Sequence, residues 1–357
     1  MPDAPVVDSA ALADAPSSAG CNVPVIVTPT TSPSGYGPEP AIAADPSGVV
    51  NILYYDSIEG DLRNARRSPN GTWTVEVVDS VGGNPGGIVS DPSGGLHASY
   101  VWQQTLRYAY RPPGGAWTAT EIFGVYAGSD SDIARGPSGE LHIGYRGQDL
   151  KSLRFAHRAA TANFHDWTDH IVESQGAFVG DNSITLDAQG LPHISYADLS
   201  TNDLKVADPT LAGWQRTTVD ATSQVYFGTS AVFDGQGGMN VVYFDGTNGD
   251  LKYAYRATAG SAWTTTTIDA VGRTGLYPQI ARDSSGGLHV SYMRTDTQML
   301  RYAVWPPGGT WSTADVAPVG PEAWGSQTAI AIDPYGRAHL AAYDAVNRSL
   351  LYMFRCP

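Results

Sequence analysis

The sequence predicts an all-β fold, a seven-bladed β-propeller of four-stranded antiparallel blades, and three observations carry that prediction. A four-residue turn recurs seven times, as Asp45-Pro-Ser-Gly, Asp91-Pro-Ser-Gly, Gly136-Pro-Ser-Gly, Asp187-Ala-Gln-Gly, Asp234-Gly-Gln-Gly, Asp283-Ser-Ser-Gly and Asp333-Pro-Tyr-Gly. The copies lie about 45 to 51 residues apart, the spacing of propeller blades. Nowhere do apolar residues keep a helical period for three turns without a Gly or Pro interrupting. One repeat cannot bury both faces of its own sheet, so the copies must stack into a single body.

The first twenty residues, rich in Ala, Asp, Pro and Ser, read as a disordered linker (1–20) ahead of the propeller (21–357). They resemble the spacer that follows the lipidated cysteine of exported bacterial lipoproteins. That resemblance implies a targeting segment and a lipid anchor upstream of Met1.

The alternating apolar residues Val23, Val25 and Val27 then predict a strand with no partners of its own. Each repeat divides into four strands, A to D. Strand A is a short apolar run such as Ala41–Ala44, closed by the turn: Asp suits the first position, Pro presets the next dihedral and Gly accepts the closing one. Strand B follows, as in Leu96–Tyr100, and strand C reads Leu106-Arg-Tyr-Ala-Tyr110 or Leu251-Lys-Tyr-Ala-Tyr255. Strand D begins at Trp73, Trp117, Trp167, Trp214, Trp263 and Trp311. Six tryptophans at one repeat position predict blade-to-blade packing.

The seventh copy ends after strand C, at Cys356-Pro357, and the orphan strand at the N-terminus is the missing fourth. Closing a ring requires one blade made from both chain ends, because an open edge is a liability. Cys21 and Cys356 then face each other on adjacent antiparallel strands, which predicts a disulfide and an oxidising compartment.

The formal charge, 21 − 35 = −14, excludes nucleic acid as a partner, since phosphate contacts need a basic stripe. No apolar run is long enough to span a membrane. No phosphate loop or nucleophile elbow is present, and no cofactor is expected.

This organisation is similar to seven-bladed propellers with short repeats, near the sialidase-like (BNR) and NHL groups, of the exported bacterial type. The copies read Asp-x-x-Gly-x-x-His-x-x-Tyr rather than the sialidase box, Ser-x-Asp-x-Gly-x-x-Trp, and no arginine triad maps onto that of sialidases.

His97, His142, His193, His289 and His339 share one repeat position, with Asn51 and Asn240 in the other two blades. Metal sites need three or four converging ligands, whereas Asn replaces His well as a hydrogen-bond donor. The position therefore reads as a clip to the turn Asp or to nearby backbone, and no metal is expected.

Function is expected where the strand D–A and B–C loops share one face, around the channel mouth. The D–A loops carry Tyr36, Tyr126, Phe178, Tyr226-Phe227, Tyr277 and Trp324, with Glu39, Asp130, Asp132, Asp181, Arg273 and Gln327 beside them. The B–C loops add Asp56, Trp102, Arg146, Asp198, Asp245, Arg294 and Asp344. Aromatic faces between carboxylates and arginines suit sugar rings. The expected function is thus a secreted or surface-anchored binding protein for a carbohydrate or glycoconjugate ligand. Repeated sites between blades fit the same reading. The alternatives are a glycan-active enzyme and a protein-interaction scaffold. A lyase would use Arg146 with Tyr145 or Arg294 with Tyr292, and a glycosidase two of Asp56, Asp132, Asp198 and Asp245.

Overall fold

The chain is a seven-bladed β-propeller, seen in a computed structural model that describes residues 21–29, 39–147, 149, 151–174, 179–226, 228–321 and 327–356, with backbone alone at 28–29, 123–129 and 179. Each blade is a four-stranded antiparallel meander whose innermost strand is A. In blade 1 the strands are Ala41–Ala44, Val50–Asp56, Asp61–Arg67 and Trp73–Asp79. Blades 2 and 3 share one continuous strand, Thr118–Arg135. Its first half is the outer strand of blade 2 and its second half the inner strand of blade 3.

The seventh sheet uses both chain ends. Val25–Pro29 pairs antiparallel with Ser349–Arg355, outside Ala338–Asp344 and Thr328–Ile332. Cys21 and Cys356 are joined by a disulfide, with Cα atoms 5.8 Å apart and 335 residues between them in sequence. The expected linker, residues 1–20, lies outside the described residues.

The core is a set of clusters between blades. Strand B supplies fully buried rings, Tyr54, Tyr100, Tyr145, Tyr196, Tyr243 and Tyr292. The strand D tryptophans pack as expected on the preceding blade: Trp73 on Tyr352, Trp167 on Tyr108, Trp214 on Phe155 and Trp311 on Tyr253, with ring centroids 5.0 to 5.5 Å apart. Trp263 instead lies under the Arg256 guanidinium, and Trp117 donates to Glu76.

In four blades the shared His/Asn position is a clip to the turn aspartate, through His97, His193, His289 and His339. His289 and His339 reach their turn aspartates through Nε2, at 2.9 and 3.0 Å, and bond Tyr302 and Tyr352 of strand C through Nδ1. Where strand C changes, the partner changes with it. His193 bonds Asp208, Asn51 pairs with Asn64, and Asn240 accepts from Tyr253.

Candidate binding site at the channel mouth

The inner strands enclose a cavity of about 290 Å3. Counting six residues back from each turn residue gives the ring at its mouth: Glu39, Pro85, Asp130, Asp181, Gly228, Tyr277 and Gln327, all lining that cavity. The ring varies from blade to blade, whereas the position three residues on is Ile in six blades and Ala231 in the other. Two residues in from the ring, Asp132 accepts backbone N–H from Ile133 at 2.8 Å and from Ile184 of the next blade at 3.0 Å. Ser230 does the same for Ile280 at 3.2 Å. The inner strands are thus stitched together by short polar side chains. Gly86 permits a close approach, since a Cβ there would collide with Ser131.

Three acids near one another in a confined space cannot all ionise freely. Burial, then the charges of Asp130 and Asp181, pushes the Glu39 carboxyl well above its ordinary value. Burial and Asp130 raise Asp181 to about 7, against the opposing pull of Arg146 and the Gly228 N–H. Burial raises Asp132 to about 6, outweighing the two N–H groups it accepts. Arg146, on strand B of blade 3, pairs with Asp130 at 3.3 Å. Tyr277 is buried and holds φ at 49°. That is a left-handed conformation which a tyrosine rarely adopts, and its carbonyl accepts from Thr328 at 2.9 Å.

Of the residues expected at the mouth, Glu39, Asp132, Tyr277 and Gln327 line the cavity, and Arg146 is tied to its rim through Asp130. The B–C aspartates do other work. Asp56, Asp198, Asp245 and Asp344 are buried, and each accepts the N–H two residues on, at 2.9 to 3.0 Å, which closes its own turn. Asp56 also pairs with Arg63. Trp102 packs on Tyr55, Arg294 is held by Asp296, and the Tyr226 hydroxyl donates to Gln224. Tyr36, Phe178, Phe227 and Trp324 lie outside the described residues, and Tyr126 is described by backbone alone.

The pairs offered for a lyase are not assembled. The Tyr145 hydroxyl donates to Asp169 and that of Tyr292 to Asp269, both on outer strands. Burial and those carboxylates push both phenols up, the opposite of what a tyrosine base needs. Among the described residues no group of three or more His, Cys, Asp or Glu is placed to hold a metal ion.

The D–A loops bond to the B–C loops of neighbouring blades, which fixes the mouth. Val225 N–H donates to the Asn202 carbonyl at 3.0 Å, Thr274 to Gly249 at 2.8 Å and Val319 to Gln298 at 2.9 Å. Sequence reasoning missed this lacing, because nothing in either loop names its partner.

No family model matches the sequence, and no curated protein matches it. Among solved structures, a catalytically inactive virginiamycin B lyase from Staphylococcus aureus, with quinupristin, aligns with a TM-score of 0.61 at 11% identity, over 92% of this chain and 98% of that one. The Aleuria aurantia lectin in complex with alpha-methyl-L-fucoside aligns at 0.59 and 18% identity, over 83% and 99%. A Hadza microbial sialidase aligns at 0.54 and 11% identity, over 89% and 65%. At such identities the likeness is one of fold.

Proposed function

We propose that this protein is a carbohydrate-binding propeller, secreted or displayed at the cell surface, that takes a sugar at the channel mouth. The observation that carries the reading is the set of Glu39, Asp130, Asp181, Tyr277 and Gln327, which five of the seven blades present to one cavity mouth. Carboxylate and amide oxygens accept from sugar hydroxyls. Burial and the neighbouring Asp130 and Asp181 favour the protonated form of Glu39, which can donate as well. Fucose-binding lectins among the structural neighbours support a sugar ligand, and the disulfide supports an oxidising compartment.

A glycan array probed with the purified protein tests this, with Asp181→Ala and Gln327→Ala as variants. The expected result is selective binding that both variants weaken about tenfold or more, the usual loss for a hydrogen bond to a charged or buried group. An array without signal, or binding that neither variant changes, overturns the reading.

One observation favours an enzyme on the same site: Asp181 titrates near neutrality beside Asp130. A carboxyl raised toward neutrality suits the general acid of a glycosidase. Release of nitrophenol from a panel of nitrophenyl glycosides, abolished by Asp181→Asn, decides between the two readings.

A further inference from the structure

Three blade junctions repeat one stack. Arg67 lies over Tyr352, Arg158 over Tyr108 and Arg355 over Tyr302, at 5.5, 4.9 and 5.0 Å from the ring centroids. In each, the arginine at the end of strand C covers the strand C tyrosine of the preceding blade. That tyrosine in turn holds the clip histidine, His339, His97 or His289.

The junction between blades 1 and 2 is one of those that lack the stack. The arginine is Arg111, but Asn64 stands where the tyrosine would be and Asn51 where the histidine would be. Two amides replace two rings. Arg111 has no ring to cover and is held instead by Glu76, at 2.9 and 3.0 Å. A cavity of about 390 Å3 opens there, between the first and second turns, with Asn51, Arg66 and Arg111 in its wall. Its size falls within the range of small-ligand sites. It lies at the turn end of the inner strands, away from the channel mouth.

The wall is chemically unfinished. Asn51 is 1% exposed and accepts from the Asn64 amide at 3.2 Å, while Asn64 Oδ1 is buried without a partner among the described residues. Exchanging the two amide assignments moves that deficit without removing it. Arg66 makes no ion pair among the described residues. Asp45 lies in the same wall, and its Oδ1 is engaged by its own turn, accepting from Ser47 N, Ser47 Oγ and Val49 N at 2.6 to 3.0 Å. A buried amide and an uncommitted guanidinium facing one space favour an anion that also carries hydroxyls. Pro46, Pro92 and Leu96 give that space an apolar side.

We propose that this junction is a second binding site, for a sugar-sized carboxylate of the uronic acid class. Arg66 takes the carboxylate with its planar fork, Asn51 bonds a ring hydroxyl, and the proline and leucine surface meets the C–H face of the ring. The proposal does not rest on the channel-mouth reading.

Isothermal titration of the full chain with sodium glucuronate, methyl glucoside and sodium phosphate tests it. The expected result is saturable glucuronate binding at one site per chain, with the neutral glucoside at least about tenfold weaker, as loss of a charge-assisted bond implies. Arg66→Gln weakens glucuronate by about the same factor. The pair Asn51→His with Asn64→Tyr installs the ring pair of blades 2, 6 and 7, fills the cavity and abolishes binding, while the melting temperature stays at or above that of the parent. If this pair does not fold, Arg66→Gln alone decides. Glucuronate binding unchanged in Arg66→Gln, absent at millimolar concentrations, or matched by phosphate overturns the proposal. So does loss of binding in the channel variant Asp181→Ala, which would assign the ligand to the mouth.

Discussion

The hydroxyl of Tyr243, on strand B of blade 5, donates to the carboxylate of Asp220, the last residue of strand D in blade 4, at 2.6 Å. Lys252 joins them from strand C of blade 5, at 2.7 Å from the same oxygen. The arrangement recurs as Asp79 with Tyr100 and Arg107, and as Asp269 with Tyr292 and Arg301. Each clamp joins the outer strand of one blade to the middle of the next, so it holds the ring together rather than any one sheet.

Tyr243→Phe should destabilise the protein by about 1–3 kcal/mol, because it leaves part of a buried carboxylate unpaired. Urea denaturation of the variant and its parent measures the difference. Burial opposes ionisation of Asp220, but Lys252, Tyr243 and Thr222 outweigh it and hold its carboxyl below the usual range. The stability it contributes is therefore complete above the unfolded value and lost as the pH falls through the lower folded one. Tyr243→Phe should flatten that acid limb.

The clamp shows what the sequence could and could not yield. The repeat unit, the clip histidines and the cysteine pair were legible because each depends on position within one repeat or on the chain ends. The clamp was not: Asp220 and Tyr243 lie in different repeats, and their meeting depends on how two sheets face each other. The channel ring was half legible. Glu39, Tyr277 and Gln327 stood out as departures from the pattern, yet so did Asp56 and Asp245. Only the geometry separates carboxylates that line a cavity from carboxylates that close a turn. The cavity between blades 1 and 2 was hidden for a similar reason. Asn51 was visible as a substitution for His, but its consequence depends on Asn64, on another strand.

The Cys21–Cys356 bond ties the outermost strand of the seventh sheet to its neighbour and closes nearly the whole chain into a loop. By the chain-entropy argument such a loop contributes roughly 5 kcal/mol. Replacing both cysteines by serine should lower the unfolding free energy toward that extent. Hydrogen exchange should then show the first loss of protection in Val25–Pro29, which has one strand neighbour and an exposed face.

The channel acids set a second pH dependence, opposite in sign to that of Asp220. Asp181 is raised from 3.8 to about 7, so the folded state binds its proton more tightly than the unfolded chain does. Its contribution is fully present below pH 4 and is lost as the pH rises toward 7. Asp132, raised to about 6, adds to the same limb. Asp181→Asn cannot ionise. Its melting temperature should match the parent near pH 4 and exceed it at pH 8. Equal curves at both pH values would show that the carboxylate ionises without cost to the fold.

Blade 3 offers a test of the clip itself. Gly136 stands where the other turns carry Asp, and Phe155 where three blades place the tyrosine that bonds the clip histidine. His142 consequently has neither ring nitrogen hydrogen-bonded, and burial, then the neighbouring His157, lowers it to about 4. The backbone of this turn is intact, with Gly136 N–H donating to the Glu140 carbonyl at 2.8 Å and Gly139 N–H to the Gly136 carbonyl at 3.0 Å. Only the side-chain half of the clip is missing. Restoring it takes two changes, because the Glu140 carboxylate occupies the space that a Cβ at Gly136 would enter. Gly136→Asp alone sets two carboxylates against each other and should be neutral or destabilising. Gly136→Asp with Glu140→Gly reproduces the second turn, in which Asp91 Oδ1 accepts from Ser93 N, Ser93 Oγ and Gly95 N at 2.6 to 2.8 Å. It also presents an acceptor to His142 Nε2. The double variant should gain about 1 kcal/mol in urea denaturation, the usual net worth of a hydrogen bond made to a buried, unpaired donor. It should also bring a slowly exchanging imidazole proton into the NMR spectrum. A double variant no more stable than its parent would mean that the turn aspartates order their own loops and contribute nothing through the histidine.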